Sequence, residues 1–246
     1  MKQRHLSLSL LALAGIFFLF SCSKKETEPA PPQNSFAGYY PTAIGKYVVY
    51  EVDSTIYDDF LAVELHRSYQ MRYDMVDTFR DAENRLSYVI NTSIRNDDTS
   101  NWRVGEVLYV TPTDKRLEVV QQNLRFIKLL SPVANGISWK GNGLIATADQ
   151  DYQYFADWDY TYENVGQPYN NGRLEFEHSL TVQQEDYSLN LPYDASTQYA
   201  VRTFGKEVYA SKAGLVYKEL THYVLDRSLS GFPKGYSVVM RAIDYN

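Results

Sequence analysis

From Phe36 onward apolar residues recur with a period of two, and no stretch sustains a 3.6-residue pattern. Leu61, Val63, Leu65, Tyr69, Met71, Tyr73 and Met75 share one parity, while Glu64, His66, Ser68, Gln70, Arg72 and Asp74 share the other. Successive side chains of a strand point to opposite faces, so this alternation predicts a long strand with one dry face and one wet face. Ala156, Trp158, Tyr160 and Tyr162 alternate in the same way with Asp157, Asp159, Thr161 and Glu163. So do Leu174, Phe176, His178, Leu180 and Val182 with Glu175, Glu177, Ser179, Thr181 and Gln183. Shorter strands are expected at 46–56, 85–95, 104–111, 115–121, 124–130, 199–204, 206–210, 214–226 and 236–244.

Turn chemistry separates these segments. Ser211-Lys212-Ala213-Gly214 makes a short hairpin loop, Asn170-Asn171-Gly172 opens the strand near 174, and Ser230 to Gly235 divides the last two. The expectation is an all-β single domain over 36–246, with about eleven or twelve mainly antiparallel strands. A strand as long as 61–75 survives by bending, which favours a curved sheet, half-barrel or barrel. Pro41 to Tyr47 and Pro132 to Trp139 share a Pro, a Gly four residues later and then an aromatic. A tight lead-in to a strand is the favoured reading of both, and a repeated ligand loop is the alternative.

The first 35 residues have a different pattern. Lys2 and Arg4 precede an unbroken apolar run from Leu10 to Phe20, which is too short to span a bilayer core of about 30 Å and reads as a signal peptide over 1–21. The run ends at Leu19-Phe20-Ser21-Cys22, which resembles a bacterial lipobox. That resemblance implies that Cys22 becomes the mature N-terminus and carries a diacylglycerol with acyl chains such as palmitate. Several acyl chains anchor a protein stably, since each buried CH₂ contributes about 0.8 kcal/mol. Ser23 to Ser35 holds three Pro and no large apolar residue, so 22–35 reads as the lipidated Cys followed by a tether that reaches at most about 40 Å. Ser23 after the Cys, rather than Asp, favours the outer membrane by analogy with the enterobacterial sorting rule, and leaves open which face carries the domain.

Composition narrows the chemistry. The 246 residues are 44% hydrophobic and 22% charged, with 22 Tyr and a net charge of −6. Loss of Lys2 and Arg4 with the signal peptide takes the mature charge to −8. An acidic chain with no long Lys/Arg run disfavours nucleic acid as a partner. The single Cys excludes an internal disulfide. No phosphate-cradling loop, zinc-protease helix or Cys cluster occurs, so no cofactor and no metal are expected. Asp149 to Gln153 begins like a calcium loop but lacks its Gly and its final Glu. Glu64 and His66 share a wet face without a visible third ligand, His178 is expected as a core imidazole, and His222 lies on a mixed face. The pairs Asp157/Asp159, Glu175/Glu177 and Glu185/Asp186 are candidates for a glycosidase, whose carboxyl spacing an i, i+2 pair on a strand can match, but acids on the wet faces of an acidic β-protein are the favoured account. Asn91-Thr92-Ser93 matches an N-glycosylation acceptor. Asp53-Ser54-Thr55 is similar to the O-glycosylation acceptor of Bacteroidota and marks Ser54, which is expected at an exposed strand end.

Tyr39-Tyr40-Pro41 with Gly45 and Tyr47, Asn123 to Lys128, Trp139-Lys140-Gly141, Asp157 to Tyr162, Gln184 to Tyr187 and Gly214 to Glu219 together resemble a family of uncharacterised Bacteroidota lipoproteins over nearly the whole mature chain. The Pro-Gly-Trp and Gly-Leu-Val-Tyr segments are also similar, more loosely, to periplasmic half-barrel proteins related to lipoprotein carriers. The resemblance implies envelope location and fold, and no mechanism. The function expected is a membrane-anchored, non-enzymatic β domain that binds a glycan, lipid or envelope protein, with Trp158, Tyr160 and Trp139 as ligand-stacking residues. The alternative is a carbohydrate- or ester-cleaving hydrolase using the paired carboxylates.

Overall fold

Consecutive hairpins make the whole wall. The computed structural model describes residues 35–246, so the signal run, Cys22 and nearly all of the tether lie outside the described residues. Twelve strands succeed one another: β1 (Tyr47–Asp58), β2 (Val63–Arg80), β3 (Leu86–Arg95), β4 (Arg103–Pro112), β5 (Arg116–Gln121), β6 (Leu124–Leu130), β7 (Ser138–Trp139), β8 (Tyr160–Asn170), β9 (Glu175–Leu189), β10 (Tyr199–Ala210), β11 (Gly214–Asp226) and β12 (Lys234–Tyr245). They form one sheet in the order β6-β5-β4-β3-β2-β1-β12-β11-β10-β9-β8-β7. Every pairing is antiparallel, and only β1 with β12 joins strands distant in sequence. Twist accumulates across so wide a sheet and curls it, here into a nearly closed barrel.

Closure brings the two free edges, β6 and β7, together. The edges share few ladder bonds, and side chains replace the missing ones. The Ile127 N–H donates to the Gly141 carbonyl (2.8 Å), and the Trp139 indole N–H donates to the Ile127 carbonyl (2.8 Å). The Tyr162 hydroxyl accepts from the Leu130 N–H (2.6 Å) and donates to the Leu130 carbonyl (2.8 Å). Backbone groups that would otherwise be exposed on two edges are thereby satisfied.

Bulges set which side chains face inward. An extra residue on one strand shifts its parity and re-aims the side chains beyond it. In β6, Leu129 pairs with Leu117 and Ile127 with Glu118, which leaves Lys128 unpaired. In β9, Ser179 faces Gln167 and Phe176 faces Tyr169, so both Glu177 and His178 turn outward. The expectation of a core imidazole at His178 is thus corrected: it is exposed. The dry face expected along 61–75 is also shorter than the alternation implies. Leu61, Val63 and Leu65 are exposed, because β3 joins β2 only from Gln70 onward and this end of β2 outruns β3. The alternation at 156–159 precedes β8 rather than belonging to it, 199–210 is one strand rather than two, and two-residue β7 carries too little pattern to be seen.

Both Pro-Gly segments lead into strands through one turn geometry. Gly45 (φ 89°) and Gly136 (φ 81°) take left-handed backbone angles, and the turns close through Lys46 N–H to Ala43 and Ile137 N–H to Ala134.

The seam provides a test. Tyr162→Phe leaves the Leu130 N–H and carbonyl without their partner and is expected to cost about 1–3 kcal/mol in chemical denaturation. An unchanged midpoint would show that this hydroxyl does not hold the seam.

Candidate functional site

Two segments outside the strands pack aromatic side chains against the sheet. The first, Ser35 to Lys46, begins with a 3₁₀ turn at Phe36–Gly38. Its Tyr40 ring lies 6.1 Å from that of Tyr209 on β10, and its Gly45 N–H donates to the Met75 carbonyl of β2 (2.8 Å). The second, Gly141 to Asp159, contains a 3₁₀ helix at Gln150–Phe155. Phe155 packs edge-on against Phe126 of β6 (5.6 Å), and Tyr154 stacks on His222 of β11 (4.2 Å, 15°). The Tyr154 and Tyr236 hydroxyls bond across 3.1 Å, which fastens this segment to β12. Asn142 fixes it from within, donating to the Phe155 carbonyl (3.0 Å) and accepting from the buried Tyr160 hydroxyl (2.9 Å).

Two chambers lie between these segments. One, of 370 Å³, is walled by Tyr69, Met71, Phe126, Tyr154, Tyr236 and Met240 among others. The other, of 70 Å³, lies among Tyr40, Tyr50, Met75, Ile90, Val110 and Tyr209. Tyr73, Gln121 and Lys218 line both and form the waist between them.

Charges concentrate at this waist. Lys128, the bulged residue of β6, reaches Glu207 of β10 through an ion pair of 2.7 Å. Tyr209, two residues on and therefore on the same face, donates to the other Glu207 oxygen at 2.6 Å. The Lys128 ammonium also sits 4.7 Å from the centre of the Phe126 ring. Burial pushes the Glu207 carboxyl up. The Lys128 and Lys218 charges, with hydrogen bonds from Lys128 and Tyr209, more than reverse that and hold it below its usual range.

Lys218 is the cross-strand neighbour of Glu207 on β11, yet among the described residues it has no hydrogen bond and no ion pair within 4.0 Å. Its pKa is lowered, first by burial and then by the Lys128 charge, against the pull of Glu207 and Glu106. Glu106 accepts from Gln121 at 2.6 Å. Burial pushes the phenols of Tyr40, Tyr50, Tyr73, Tyr160 and Tyr209 up, so the aromatic wall stays uncharged.

The sequence-derived candidates fall elsewhere. Trp139, Trp158 and Tyr160 are 8%, 3% and 1% exposed, and their rings are covered by protein. Trp139 contacts Tyr160 and Tyr162, and Trp158 contacts Phe155 while donating to the Tyr154 carbonyl (2.7 Å). These three shape the seam and the Gly141 to Asp159 segment rather than offering an open stacking face. Ser54 lies within β1, partly buried and paired on both sides, and not at a strand end. Asn91 is exposed on β3, and its neighbour Thr92 is buried.

Each carboxylate pair is engaged locally. Asp159 binds Lys140, Glu175 accepts from Asn170, Asp186 binds Arg202, and Glu185 accepts from the Asp186 N–H. Glu64 and His66 do meet, at 3.4 Å, and remain exposed. No group of three or more His, Cys, Asp or Glu converges among the described residues.

Sequence reasoning missed Lys128, Glu207, Lys218 and Glu106. The available signal was Lys128 itself, a charge set inside Phe126-Ile127-Lys128-Leu129-Leu130, where no wet face accommodates it.

Two outcomes test the waist. Lys128→Met abandons a buried carboxylate and is expected to cost about 3–5 kcal/mol by denaturant titration. Lys218→Met removes an ammonium that is worse off in the fold than in water, and is expected to raise the thermal midpoint. Equal effects of the two would refute the assignment of paired and unpaired roles.

The waist also has a pH dependence. With a folded pKa below its usual 4.5, Glu207 contributes stability that is complete above about 4.5 and lost as pH falls through the lower folded value. Stability against pH below 4.5 is therefore expected to fall less steeply in Glu207→Gln than in the wild type, and parallel curves would exclude Glu207 as a source of the acid sensitivity.

No family profile matches the sequence, and no curated protein matches it. Among solved structures the chain is similar to a candidate exported protein with a YmcC-like fold from Bacteroides fragilis, at 10% identity and a TM-score of 0.37, covering 85% of this chain and 98% of that one. It is likewise similar to a candidate lipoprotein from Parabacteroides distasonis, at 9% identity and a TM-score of 0.39, with the same coverage.

Proposed function

We propose that the protein is a non-enzymatic ligand-binding barrel of the bacterial cell envelope, held to the outer membrane through lipid on Cys22. The observation that carries the binding role is a pair of chambers walled by Tyr, Met and Phe that meet at a waist of charged side chains. Interiors of this kind suit small molecules, since binding sites are concave, mostly apolar and of about 300–1,000 Å³, with a few fixed polar groups. Glu207, the buried acid there, is occupied by Lys128 and Tyr209, which suits a fixed wall better than a proton-transferring group. The anchor rests on the apolar run and on Leu19-Phe20-Ser21-Cys22.

Two measurements test this reading. Labelled palmitate is expected to enter the wild-type chain and not Cys22→Ala, with the wild type in the membrane fraction; labelling of both would remove the anchor. For the interior, the uncharged fluorophore N-phenylnaphthylamine is expected to bind the Cys22→Ala chain saturably, one molecule per chain. Val238→Trp, which fills the larger chamber, is expected to abolish that binding. Absence of saturable binding to the unfilled chain would overturn the ligand-binding role.

A further inference from the structure

We infer that the waist selects an uncharged amphiphile, an acyl ester or amide whose carbonyl accepts a hydrogen bond from Lys218 while its chain fills the 370 Å³ chamber. The inference rests on the ligand-binding reading and deepens it. Lys218 lines both chambers and is held by no partner among the described residues, whereas Lys128, Glu207 and Glu106 each have one. Both Glu207 oxygens are taken, by Lys128 and by Tyr209, and Glu106 accepts from Gln121. The ammonium therefore presents unused donors to a wall of Tyr69, Met71, Phe126 and Met240.

Charge balance decides the class of head group. Lys128 and Lys218 face Glu207 and Glu106, and these charges sum to zero, while the tyrosines around them stay protonated. A fatty-acid carboxylate would add an uncompensated charge beside two carboxylates in a poorly solvated space. A pure hydrocarbon would fill the chamber and leave the Lys218 donors unmet. An ester or amide carbonyl satisfies the donors and leaves the balance intact. At 370 Å³ the chamber is near the small end of binding sites, which points to a chain of medium length.

The test uses displacement of N-phenylnaphthylamine from the Cys22→Ala chain by monodecanoylglycerol, decanoate and decane. Monodecanoylglycerol is expected to displace the fluorophore at the lowest concentration. Lys218→Met is expected to weaken its binding about tenfold, to leave that of decane unchanged, and to keep binding the fluorophore, which reports that the variant folds. Undiminished binding of monodecanoylglycerol by Lys218→Met overturns the role of Lys218, and decanoate binding as tightly as the ester overturns the charge-balance argument. In either case the fluorophore still binds and the chamber stands as a ligand site. If the fluorophore fails to bind the parent chain saturably, the ligand-binding reading itself falls.

Discussion

A meander that closes on itself through its first and last strands must leave two free edges midway along the chain, and the structure depends on how those edges are satisfied. Ordinary ladders join every other neighbour. Between β6 and β7 the work passes to Trp139 and Tyr162, whose indole and hydroxyl bond the backbone of Ile127 and Leu130. This is why large aromatics that read as ligand platforms are buried. Each has a polar tip for a backbone group and a broad apolar body that fills space behind the seam. Without a sealed seam the interior would flood, and the chambers and the Lys128–Glu207 pair would lose their shielding from water.

Charge at the waist runs against stability. An apolar replacement of a buried ion pair is commonly neutral or better, and an unpaired ammonium is worse still. The fold nevertheless spends a bulge on aiming Lys128 inward and aligns Glu207 with Lys218 across neighbouring strands. Departures from local optimality of this kind concentrate where proteins act rather than where they merely fold. The Arg-rich cluster on the outer wall makes the contrast. There Arg85, Arg116 and Arg125 all converge on Glu118, a buried carboxylate fully spoken for by its partners.

The fold was legible in the sequence to the extent that parity survives along a strand. Alternation and turn residues located eleven of the twelve strands, because side-chain period and Gly/Asn turn chemistry are local properties. Parity failed at bulges, as for His178, and where a strand outruns its neighbours, as for Leu61, Val63 and Leu65. Both depend on partners far away in sequence. The site was less legible for the same reason. Lys128, Glu207 and Lys218 lie on three strands, and nothing in their spacing announces that closure brings them together. Only the misfit of a lysine among apolar neighbours could have drawn attention to one of them.

The position of β1 has a mechanical consequence. It is the one strand through which the two runs of hairpins join, with β2 on one side and β12 on the other for nearly its whole length. Its first residue is tied to the end of the chain, where the Tyr47 N–H donates to the Asn246 side chain and Lys46 to the Asn246 carbonyl. A pull transmitted from upstream of Ser35 therefore loads a strand clamped on both flanks, whose hydrogen bonds resist in shear together rather than unzipping one at a time. Force on the N-terminal segment is spread into both halves of the wall before it can peel an edge.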